Sequence, residues 1–353
     1  MLISVVIPVY NVSKDLLVRC IESVLRQKDH SDTEIIIVDD GSEAANAASY
    51  QEISDQHSEI KYFRKENAGP SAARNYGVEK AEGEYVFFMD ADDYATDRCL
   101  EQAKAMIEKH HSDIVFGYVY KDLADEGTIR HASSDSDPED MIIRSEEDIS
   151  ALMNHILGYE DPRFRFGHGY LSDGPCCRLF RRSLFDTTSF DTVPRWNEDT
   201  LWNIELLKKC KTVAICKSMW YVYAVRKGSA MQGFRSNCYE EFMYITEKVS
   251  SVGHSVWNGS IDKGIAYRVW HDIFILSRGY IFNQKNTDPF PAKYAMLKRA
   301  VRSGAYRQAV RSVRFDAEQS ISKRAVKTVL NTAMKMHCFC LVYFLIRLYV
   351  GKA

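Results

Sequence analysis

The sequence lacks the cysteine patterns that cross-link small secreted proteins or bind zinc. Its nine cysteines include no CxxC pair and follow no regular spacing, which predicts reduced and mostly buried thiols. The opening stretch MLISVVIP has neither a positively charged leader nor a small-residue cleavage site, so we expect a core strand there. Together these absences favour a cytoplasmic protein.

The sequence also contains no apolar run long enough to cross a bilayer. The strongest candidate, residues 338–346, is interrupted by Arg347, whereas a membrane-spanning helix needs about 20 apolar residues. The polar stretch 121–144 lacks the glycine and the ligand spacing of a calcium loop, so we interpret it as an exposed excursion. With 353 residues, 46% hydrophobic and 27% charged, the chain fits a globular protein of two or three domains.

Charge is distributed unevenly along the chain. From Ala292 to the end, six lysines and seven arginines face two acids, Asp316 and Glu318, for a net charge of +11. Because the whole chain carries -2, the rest of it must carry -13. A basic end on an acidic body indicates contact with something anionic, either a membrane surface or a nucleic acid.

Short apolar runs alternate with amphipathic helices over the first part of the chain. Each run has the unbroken apolar character of a strand that is covered on both faces. Strands are predicted at 2–7, 35–38, 60–63, 85–89 and 113–120, and helices at 14–25, 43–57, 71–81 and 96–110, with Ser13 and Ser42 capping the first two helices. This alternation implies an α/β fold with a doubly wound, mostly parallel sheet.

The alternation of strands and helices is less regular in the middle of the chain, and towards the end the sequence predicts helices only. It predicts a helix near 145–157, a strand at 176–180, a helix after Asn197 and strands at 212–216 and 219–223. From about residue 236 it predicts helices only, at 239–252, 260–283, 291–312 and 319–350. We therefore divide the chain into an α/β domain, residues 1–232, and a helical C-terminal region, residues 233–353.

The helical end combines upstream basic residues with a terminal apolar and aromatic block. This combination suits a helix that lies in the interface of an anionic membrane as a peripheral contact. The alternative is that the block packs on another domain or on the partner of a homodimer. Nucleic-acid binding is disfavoured, because the lysines and arginines accompany an apolar block rather than exposed interleaved aromatic residues.

Polar groups follow three of the predicted strands at the point where each strand ends. The segments are Pro8-Val9-Tyr10-Asn11, Asp39-Asp40-Gly41-Ser42 and Asp90-Ala91-Asp92-Asp93. In a parallel sheet these ends lie side by side, and open α/β sheets bind ligands there, so the segments predict one nucleotide pocket. Arg74, on a helix close to that edge, is placed to contact a base or a diphosphate.

The segment Asp90-Ala91-Asp92 is typical of a site for a hard divalent cation. Mn²⁺ and Mg²⁺ prefer oxygen ligands and often bridge one or two carboxylates to a substrate phosphate. The alternative is an acidic cluster that caps the helix predicted to begin near Thr96.

Taken together, the motifs resemble those of the inverting glycosyltransferases of family 2, which have the GT-A fold. The matching segments, in the order of the family, are Ser4–Asn11, Val38–Ser42, Asn67–Gly69, Ala73–Gly77, Gly83–Tyr85 and Asp90–Asp93. The resemblance is strong to about residue 120 and moderate from about 170 to 230. It implies a GT-A domain that transfers a sugar from a UDP-sugar donor with Mn²⁺ or Mg²⁺.

The resemblance also implies roles for individual residues. Asp39 would accept a hydrogen bond from the uracil imide, Asp90 would bind the ribose directly or through the metal shell, and Asp92 would ligate the metal. The other nucleotide-sugar contacts would be those framing the uridine, Pro8, Tyr10 and Asn11, those at Arg74 and Ala91, and those closing over the diphosphate, Arg226 and Ser229. Asp40 and Asp93 are interpreted as structural caps.

The family places its general base in a Glu-Asp pair, which in this chain would be Glu198-Asp199 ahead of a helix. An inverting displacement needs a carboxylate near the acceptor hydroxyl to take its proton, and the resemblance assigns that role to Asp199. Glu198 would orient the acceptor or the loop. The alternative is that both residues only cap the helix. Upstream, Cys177 and Arg178 depart from the family pattern, so no acceptor contact is assigned there.

The sequence therefore predicts a metal-dependent, inverting glycosyltransferase whose acceptor is a hydroxyl of a saccharide. If the chain end lies at the inner face of the cell membrane, that acceptor would be a lipid-linked glycan of a capsule, O-antigen or exopolysaccharide. Two alternatives remain open. A sugar-nucleotide pyrophosphorylase would need a glycine-rich basic first loop, which Val9-Tyr10-Asn11-Val12 does not provide. A non-catalytic nucleotide-sugar-binding protein would have no need of Asp39, Asp92 and Asp199 together.

Overall fold

A computed structural model describes residues 2–27, 32–122, 140–166, 169–194, 197–225, 234, 238–318 and 320–350. The chain forms two compact units. The first comprises Met1–Ile149 and Arg165–Arg226, and the second comprises Ser150–Phe164 and Lys227–Ala353. The boundary predicted between residues 232 and 233 lies outside the described residues and stays a prediction.

The first unit is built on one sheet, in which nine strands are found among the described residues. They are β1 (Ile3–Val9), β2 (Thr33–Asp39), β3 (Ile60–Arg64), β4 (Tyr85–Phe88), β5 (Tyr94–Ala95), β6 (Ile114–Asp122), β7 (Met141–Ile143), β8 (Arg178–Arg181) and β9 (Val213–Ala224). The spatial order is β3-β2-β1-β4-β8-β6-β9-β5, and β7 also pairs with β9. The long apolar runs of the sequence therefore lie in the middle of the sheet, where both faces are covered.

The sheet is parallel in one half and mixed in the other. Strands β1 to β4 are mutually parallel because helices connect them, whereas β8 runs antiparallel to both neighbours, β4 and β6. The α/β fold class is confirmed. The strands predicted at 212–216 and 219–223 are one strand, β9, whose register against β6 shifts between Phe116 and Val119. A Cβ at Gly117 would lie 2.2 Å from the Trp220 ring, so only glycine fits at this irregularity.

Helices cover the sheet of the first unit. They are α1 (Lys14–Leu25), α2 (Ala44–Asp55), α3 (Pro70–Lys80), α4 (Cys99–His110) and α6 (Glu198–Leu207), while α5 (Glu146–Ile156) contributes residues to both units. Helix α3 approaches β1 closely, because a Cβ at Gly77 would lie 2.3 Å from a methyl carbon of Val6. This contact holds α3, which carries Arg74, against the strands that end at the candidate site.

The second unit is helical, as the sequence predicts. It contains α7 (Cys238–Trp257), α8 (Asp262–Leu276) with a π-helical turn at Ser277–Ile281, α9 (Phe290–Val301), α10 (Gly304–Ser312), α11 (Ile321–Lys335) and α12 (Phe339–Val350). Ser303 and Ser320 cap α10 and α11 by accepting backbone N–H bonds. The break at Ser303 divides the predicted stretch 291–312, and the left-handed His337 between α11 and α12 divides the predicted stretch 319–350. Within the described ranges, each helix is too short or too polar to span a bilayer.

All nine cysteines are free, as the sequence predicts. Seven are buried, including the adjacent pair Cys176 and Cys177, and only Cys338 and Cys340 are exposed. Burial raises the pKa of both adjacent thiols, so neither is a reactive thiolate. The pair is part of the packed core.

Candidate functional site

Three strand ends meet at one edge of the sheet. Strand β1 lies between β2 and β4, with Val9 opposite Asp39 and Val6 opposite Phe88. The segments that follow these strands are therefore neighbours, as the sequence predicts from the parallel arrangement. This edge is the candidate functional site.

The loop after β1 is tied to the loop after β2. Asn11 adopts a left-handed conformation, donates its backbone N–H to the Ser42 hydroxyl at 2.9 Å and accepts from the Glu43 N–H at 2.8 Å. The prediction that Ser42 caps helix α2 is wrong, because Glu43 holds the cap position and the Ser42 hydroxyl serves the loop. Pro8 is half-buried here and Tyr10 is 55% exposed, so the Tyr10 ring is open to a ligand.

Asp39 is fully buried at this edge. One carboxylate oxygen accepts the Ser42 N–H at 2.8 Å and the other accepts the Tyr62 hydroxyl at 2.8 Å, with the Arg64 guanidinium at 3.5 Å. A carboxylate offers about four lone-pair positions, so these bonds fix its direction and leave capacity for another donor. The role of Asp39 at a uracil imide stays a prediction.

Asp40 supports the turn that leads into α3. Its carboxylate accepts from the Lys65 ammonium at 2.7 Å and from the backbone N–H groups of Ala68 and Gly69 at 3.0 and 2.7 Å. Gly41 beside it has a φ of +81°, and a Cβ there would lie 2.8 Å from the Asn67 nitrogen. The structural role that the sequence predicts for Asp40 is confirmed, because Asp40 accepts the backbone N–H groups ahead of α3.

The acidic loop 90–93 follows β4 and precedes β5. Asp90 is 41% exposed at its side chain, Asp92 is half-buried, and Ala91 and Asp93 are buried. The alternative that this loop caps a helix is wrong, because α4 begins at Cys99 and β5 lies between them. The predicted helix start at Thr96 is wrong for the same reason. The two partly exposed carboxylates, Asp90 and Asp92, therefore do not cap a helix.

Asp93 connects the acidic loop to strand β9. Its oxygens accept from the Tyr221 hydroxyl at 2.8 Å and from the Ala224 N–H at 3.0 Å. Burial, together with the nearby charges of Asp90 and Asp92, raises the pKa of Asp93 to about 8. Asp93 is thus structural, as the sequence predicts, and its burial is the main cause of its raised pKa.

Arg74 links the acidic loop to the Glu-Asp pair. Its guanidinium lies 3.2 Å from the Asp90 carboxylate, 3.5 Å from that of Glu198 and 3.5 Å from that of Asp199. The side chain is 8% exposed and packs over the Phe190 ring. Burial by itself would lower the pKa of Arg74, but Asp199 and Asp90 outweigh it and raise that pKa. One buried cation therefore holds together carboxylates that are far apart in the sequence.

Asp199 is in the first turn of α6, after the left-handed Asn197 in the cap position. Burial and the neighbouring Glu198 raise the pKa of Asp199 to about 8, although Arg74 acts in the opposite direction. Neither Glu198 nor Asp199 holds the cap position, and both face Arg74. A carboxylate with a pKa near neutrality suits proton transfer, because it releases and accepts a proton at working pH.

Arg178, which departs from the family pattern, is a buried support of this region. Its guanidinium lies over the Phe116 ring and donates to Asn203 and to the Ser172 carbonyl. Burial lowers the pKa of Arg178 to about 10. Ser172 is two residues before Gly174, and a Cβ at Gly174 would lie 3.4 Å from an Asp199 oxygen. Arg178 thus shapes the surroundings of Asp199 without contacting it.

Other residues of the site were not found from the sequence. The Tyr221 hydroxyl accepts the Asp90 N–H at 3.0 Å as well as donating to Asp93, and Arg19 donates to the Asp92 carbonyl at 2.8 Å. A tyrosine inside an apolar strand carries the signal of a core residue, so its polar partners become evident only in three dimensions. Arg226 and Ser229, predicted to close over a diphosphate, lie outside the described residues. Among the described residues, no three or more metal-ligating side chains converge on one point.

The chain matches the sequence model of a known family and several curated proteins. The model described as Glycosyl transferase family 2 matches residues 4–188, just over half of the chain. Glycosyltransferase GlyA of Streptococcus pneumoniae is 31% identical over 228 residues, which cover 64% of this chain and 31% of GlyA. Glycosyltransferase GlyG of the same organism is 30% identical over 232 residues, which cover 65% of this chain and 73% of GlyG.

A more distant relative and a solved structure extend the comparison. Minor teichoic acid biosynthesis protein GgaB of Bacillus subtilis is 27% identical over 239 residues, which cover 66% of this chain and 24% of GgaB. The crystal structure of S. aureus TarS residues 1–349 in complex with UDP-GlcNAc has a TM-score of 0.65 and 18% identity, and the match covers 100% of this chain and 92% of that one. The GT-A fold is thereby shared. The resemblance drawn from the motifs is confirmed, and the chain belongs to glycosyl transferase family 2.

Proposed function

We propose that the protein transfers a sugar from a UDP-sugar to a hydroxyl of a saccharide acceptor, with inversion and with a divalent cation. The observation that carries the proposal is the Arg74 bridge, which holds Asp90 of the acidic loop and Asp199 in one cluster. The UDP moiety is supported by the similar fold of TarS, which was crystallised with UDP-GlcNAc. GgaB, named for teichoic acid biosynthesis, supports a surface polymer as the acceptor class.

In the proposed reaction, Asp199 takes the proton of the acceptor hydroxyl as that oxygen attacks the anomeric carbon. The bond to UDP breaks on the opposite side of the sugar, so a single displacement inverts the configuration and needs no covalent nucleophile. Arg74 keeps a positive charge beside Asp199 and thereby favours its unprotonated, basic form. Asp39 and Asn11, fixed by their loops, would hold the nucleoside end of the donor.

The acidic loop fits a hard divalent cation. Its carboxylate oxygens are the ligands that Mn²⁺ or Mg²⁺ prefer, and the ion would neutralise the negative charges of Asp90 and Asp92, which add to burial in raising the pKa of Asp93. Asp92, with Asp90 beside it, would hold the ion, and one or two protein carboxylates suffice when substrate phosphates complete the coordination. When bound, the ion would supply stabilisation of the charge that develops on the leaving diphosphate.

Helix α12 supports a peripheral contact with a membrane. Val342 and Ile346 face the interior of the helical unit, whereas Leu341, Phe344 and Leu348 are about half exposed or more. An apolar stripe beside a basic surface suits the interface of an anionic bilayer. This arrangement supports a lipid-linked acceptor and action at the cytoplasmic face of the cell membrane.

Nucleotide binding is the first test of the proposal. UDP and Mn²⁺ together are expected to raise the melting temperature more than the sum of their separate effects, because each completes the site of the other. Asp92→Asn should abolish this synergy, whereas Asp186→Asn, an exposed carboxylate outside the site, should preserve it. Release of free sugar from one member of a UDP-sugar panel would identify the donor. No stabilisation by any nucleotide would contradict both transfer and mere nucleotide-sugar binding.

Membrane contact needs a separate experiment. Replacing Leu341, Phe344 and Leu348 by serine should abolish sedimentation of the protein with vesicles that contain phosphatidylglycerol. Unchanged sedimentation would contradict the contact. A wild-type protein that is dimeric in solution, with a monomeric triple variant, would instead show that a second copy covers this face.

A further inference from the structure

A cleft in the helical unit brings together cations from three helices. It has a volume of about 400 Å³ and lies between the end of α9, the outer face of α10 and the end of α11. Its apolar lining residues are buried and its cationic lining residues are exposed. The apolar ones are Val301, Val310 and Met334, and the cationic ones are Arg302, Arg307, Arg311 and Lys335. The exposed His337 also lines the cleft.

The part of the chain that the structure describes supplies no counter-charge at this cleft. Over the described ranges, no carboxylate lies within 4.0 Å of a side-chain nitrogen of Arg302, Arg307, Arg311 or Lys335. Both acids of the C-terminal stretch are engaged elsewhere. Asp316 accepts from the Tyr159 hydroxyl at 3.0 Å, and Glu318 pairs with Lys327 at 2.6 Å.

The cations are also arranged so that they repel one another. Arg307 and Arg311 are one turn apart on the same face of α10, and like charges at this spacing destabilise a helix. Lys298 and Arg302 repeat the pair at the end of α9, where both lie 5.8 Å from the centre of the Phe339 ring. Cations at helix ends do interact favourably with the helix dipole. That effect explains Arg302, Arg311 and Lys335 separately, because each lies at a helix C-terminus. It explains neither Arg307, the fourth residue of α10, nor the convergence of the cations, which an anion in the cleft would stabilise.

We propose that this cleft binds a phosphate or diphosphate group. Arginine presents a planar fork of donors that matches phosphate oxygens, and a compact dianion can contact several of these side chains at once. The buried apolar lining is suited to the organic part of a phosphate ester. The ligand class is therefore a phosphate ester, carried either by a lipid headgroup or by a soluble, phosphate-bearing molecule. The inference does not depend on the transfer reaction, because no residue of the cleft is assigned to donor binding or catalysis.

Titration of the full chain with inorganic pyrophosphate tests the proposal. The measurement is isothermal calorimetry in EDTA and without nucleotide, so that metal-dependent binding at the acidic loop does not contribute. The double variant Arg307→Gln/Arg311→Gln should bind about tenfold more weakly than the wild type. The control Lys285→Gln/Lys323→Gln removes the same charge from exposed positions of the same unit and should bind as the wild type does.

Equal affinity of the two double variants, or no binding of pyrophosphate to the wild type, would overturn the proposal. If the double variant melts at a lower temperature than the wild type, the single variant Arg311→Gln, at an exposed position, decides the outcome. A pyrophosphate affinity between those of the wild type and the double variant supports the proposal, and an affinity equal to that of the wild type overturns it. UDP binding with Mn²⁺, measured on the same variants, should be unaffected. Failure at the cleft is thereby distinguished from failure of the proposed transferase function.

Vesicle binding identifies the source of the phosphate. Sedimentation is compared between vesicles of phosphatidylglycerol with phosphatidylcholine and vesicles of phosphatidylcholine alone. A loss of binding to the anionic vesicles in the cleft variant, but not in the control, assigns the phosphate to a lipid headgroup. Weaker pyrophosphate binding with unchanged vesicle binding assigns it to a soluble phosphate ester.

Discussion

The two units use charge in opposite ways. In the α/β unit the cations near the strand ends face carboxylates: Arg74 faces Asp90 and Asp199, and Lys65 pairs with Asp40. In the helical unit the cations around the cleft face no carboxylate in the part of the chain that is described. A closed network, in which each cation is paired with a carboxylate, holds the groups of a site in position before a substrate arrives. Cations that face no carboxylate instead attract an anionic ligand.

Apolar residues show the same contrast. Strand β2 is buried along its whole length, and its apolar side chains, residues 35–38, only stabilise the sheet. Helix α12 buries Val342 and Ile346 but exposes Leu341, Phe344 and Leu348. The candidate binding residues of the α/β unit therefore lie at one edge of its sheet, whereas those of the helical unit lie on its surface.

The largest expected effect comes from removing the proposed base. Asp199→Asn keeps the shape of the side chain and one accepting oxygen but cannot take up the proton, so the rate of transfer should fall about 10³-fold. Affinity for UDP should stay within about twofold, because the change lies outside the nucleotide contacts. The comparison is with Asp186→Asn in an assay of initial rates, and normal activity of the Asp199→Asn variant would show that another group is the base.

The second effect is on stability. Arg74→Gln leaves the buried carboxylate of Glu198 and the partly buried carboxylates of Asp90 and Asp199 without their cation, which should lower the free energy of unfolding of the α/β unit by about 3 kcal/mol. Urea denaturation measures it. The control Arg98→Gln removes an exposed cation that lies 3.4 Å from Glu101, and it should cost less than about 0.5 kcal/mol. Equal costs for the two variants would mean that the closed network adds nothing to stability.

The third effect is a dependence of activity on pH. Asp199 acts as a base only when it is unprotonated, and burial raises its pKa to about 8. At saturating metal, kcat/KM should therefore rise about tenfold per pH unit below 8 and stand about 100-fold below its plateau at pH 6. In Arg74→Gln the inflection should move to higher pH, because the cation that opposes the shift is gone. A profile that is flat from pH 6 to 8 would rule out this titration.

The smallest effect separates the two faces of α12. Ile346→Val removes one buried methylene and should destabilise the helical unit by about 1 kcal/mol. Leu348→Ala removes more atoms from a side chain that is 62% exposed, and it should change stability by less than about 0.5 kcal/mol. Thermal denaturation of both variants measures the difference. A larger loss from Leu348→Ala would show that this face is covered in solution.

Much of the site was predictable because its motifs follow strands. The apolar runs of β1, β2 and β4 and the turn residues after them are local patterns, and parallel pairing brings their ends to one edge. The antiparallel direction of β8 was not predictable, since the same apolar run suits either direction. The Ser42 hydroxyl was assigned wrongly because a local cap and a partner in another loop compete for it.

The sequence by itself determined the α/β and helical classes, the three polar strand ends and the uneven charge, because each depends on neighbouring residues and their spacing. Only the tertiary structure decided that Arg74 joins Asp90 to Asp199, which follows Arg74 by 125 positions, and that burial raises the pKa of Asp199. It also decided that the basic residues of three helices surround one cleft. Distances and solvent exclusion between remote segments arise from packing, and no local pattern contains them.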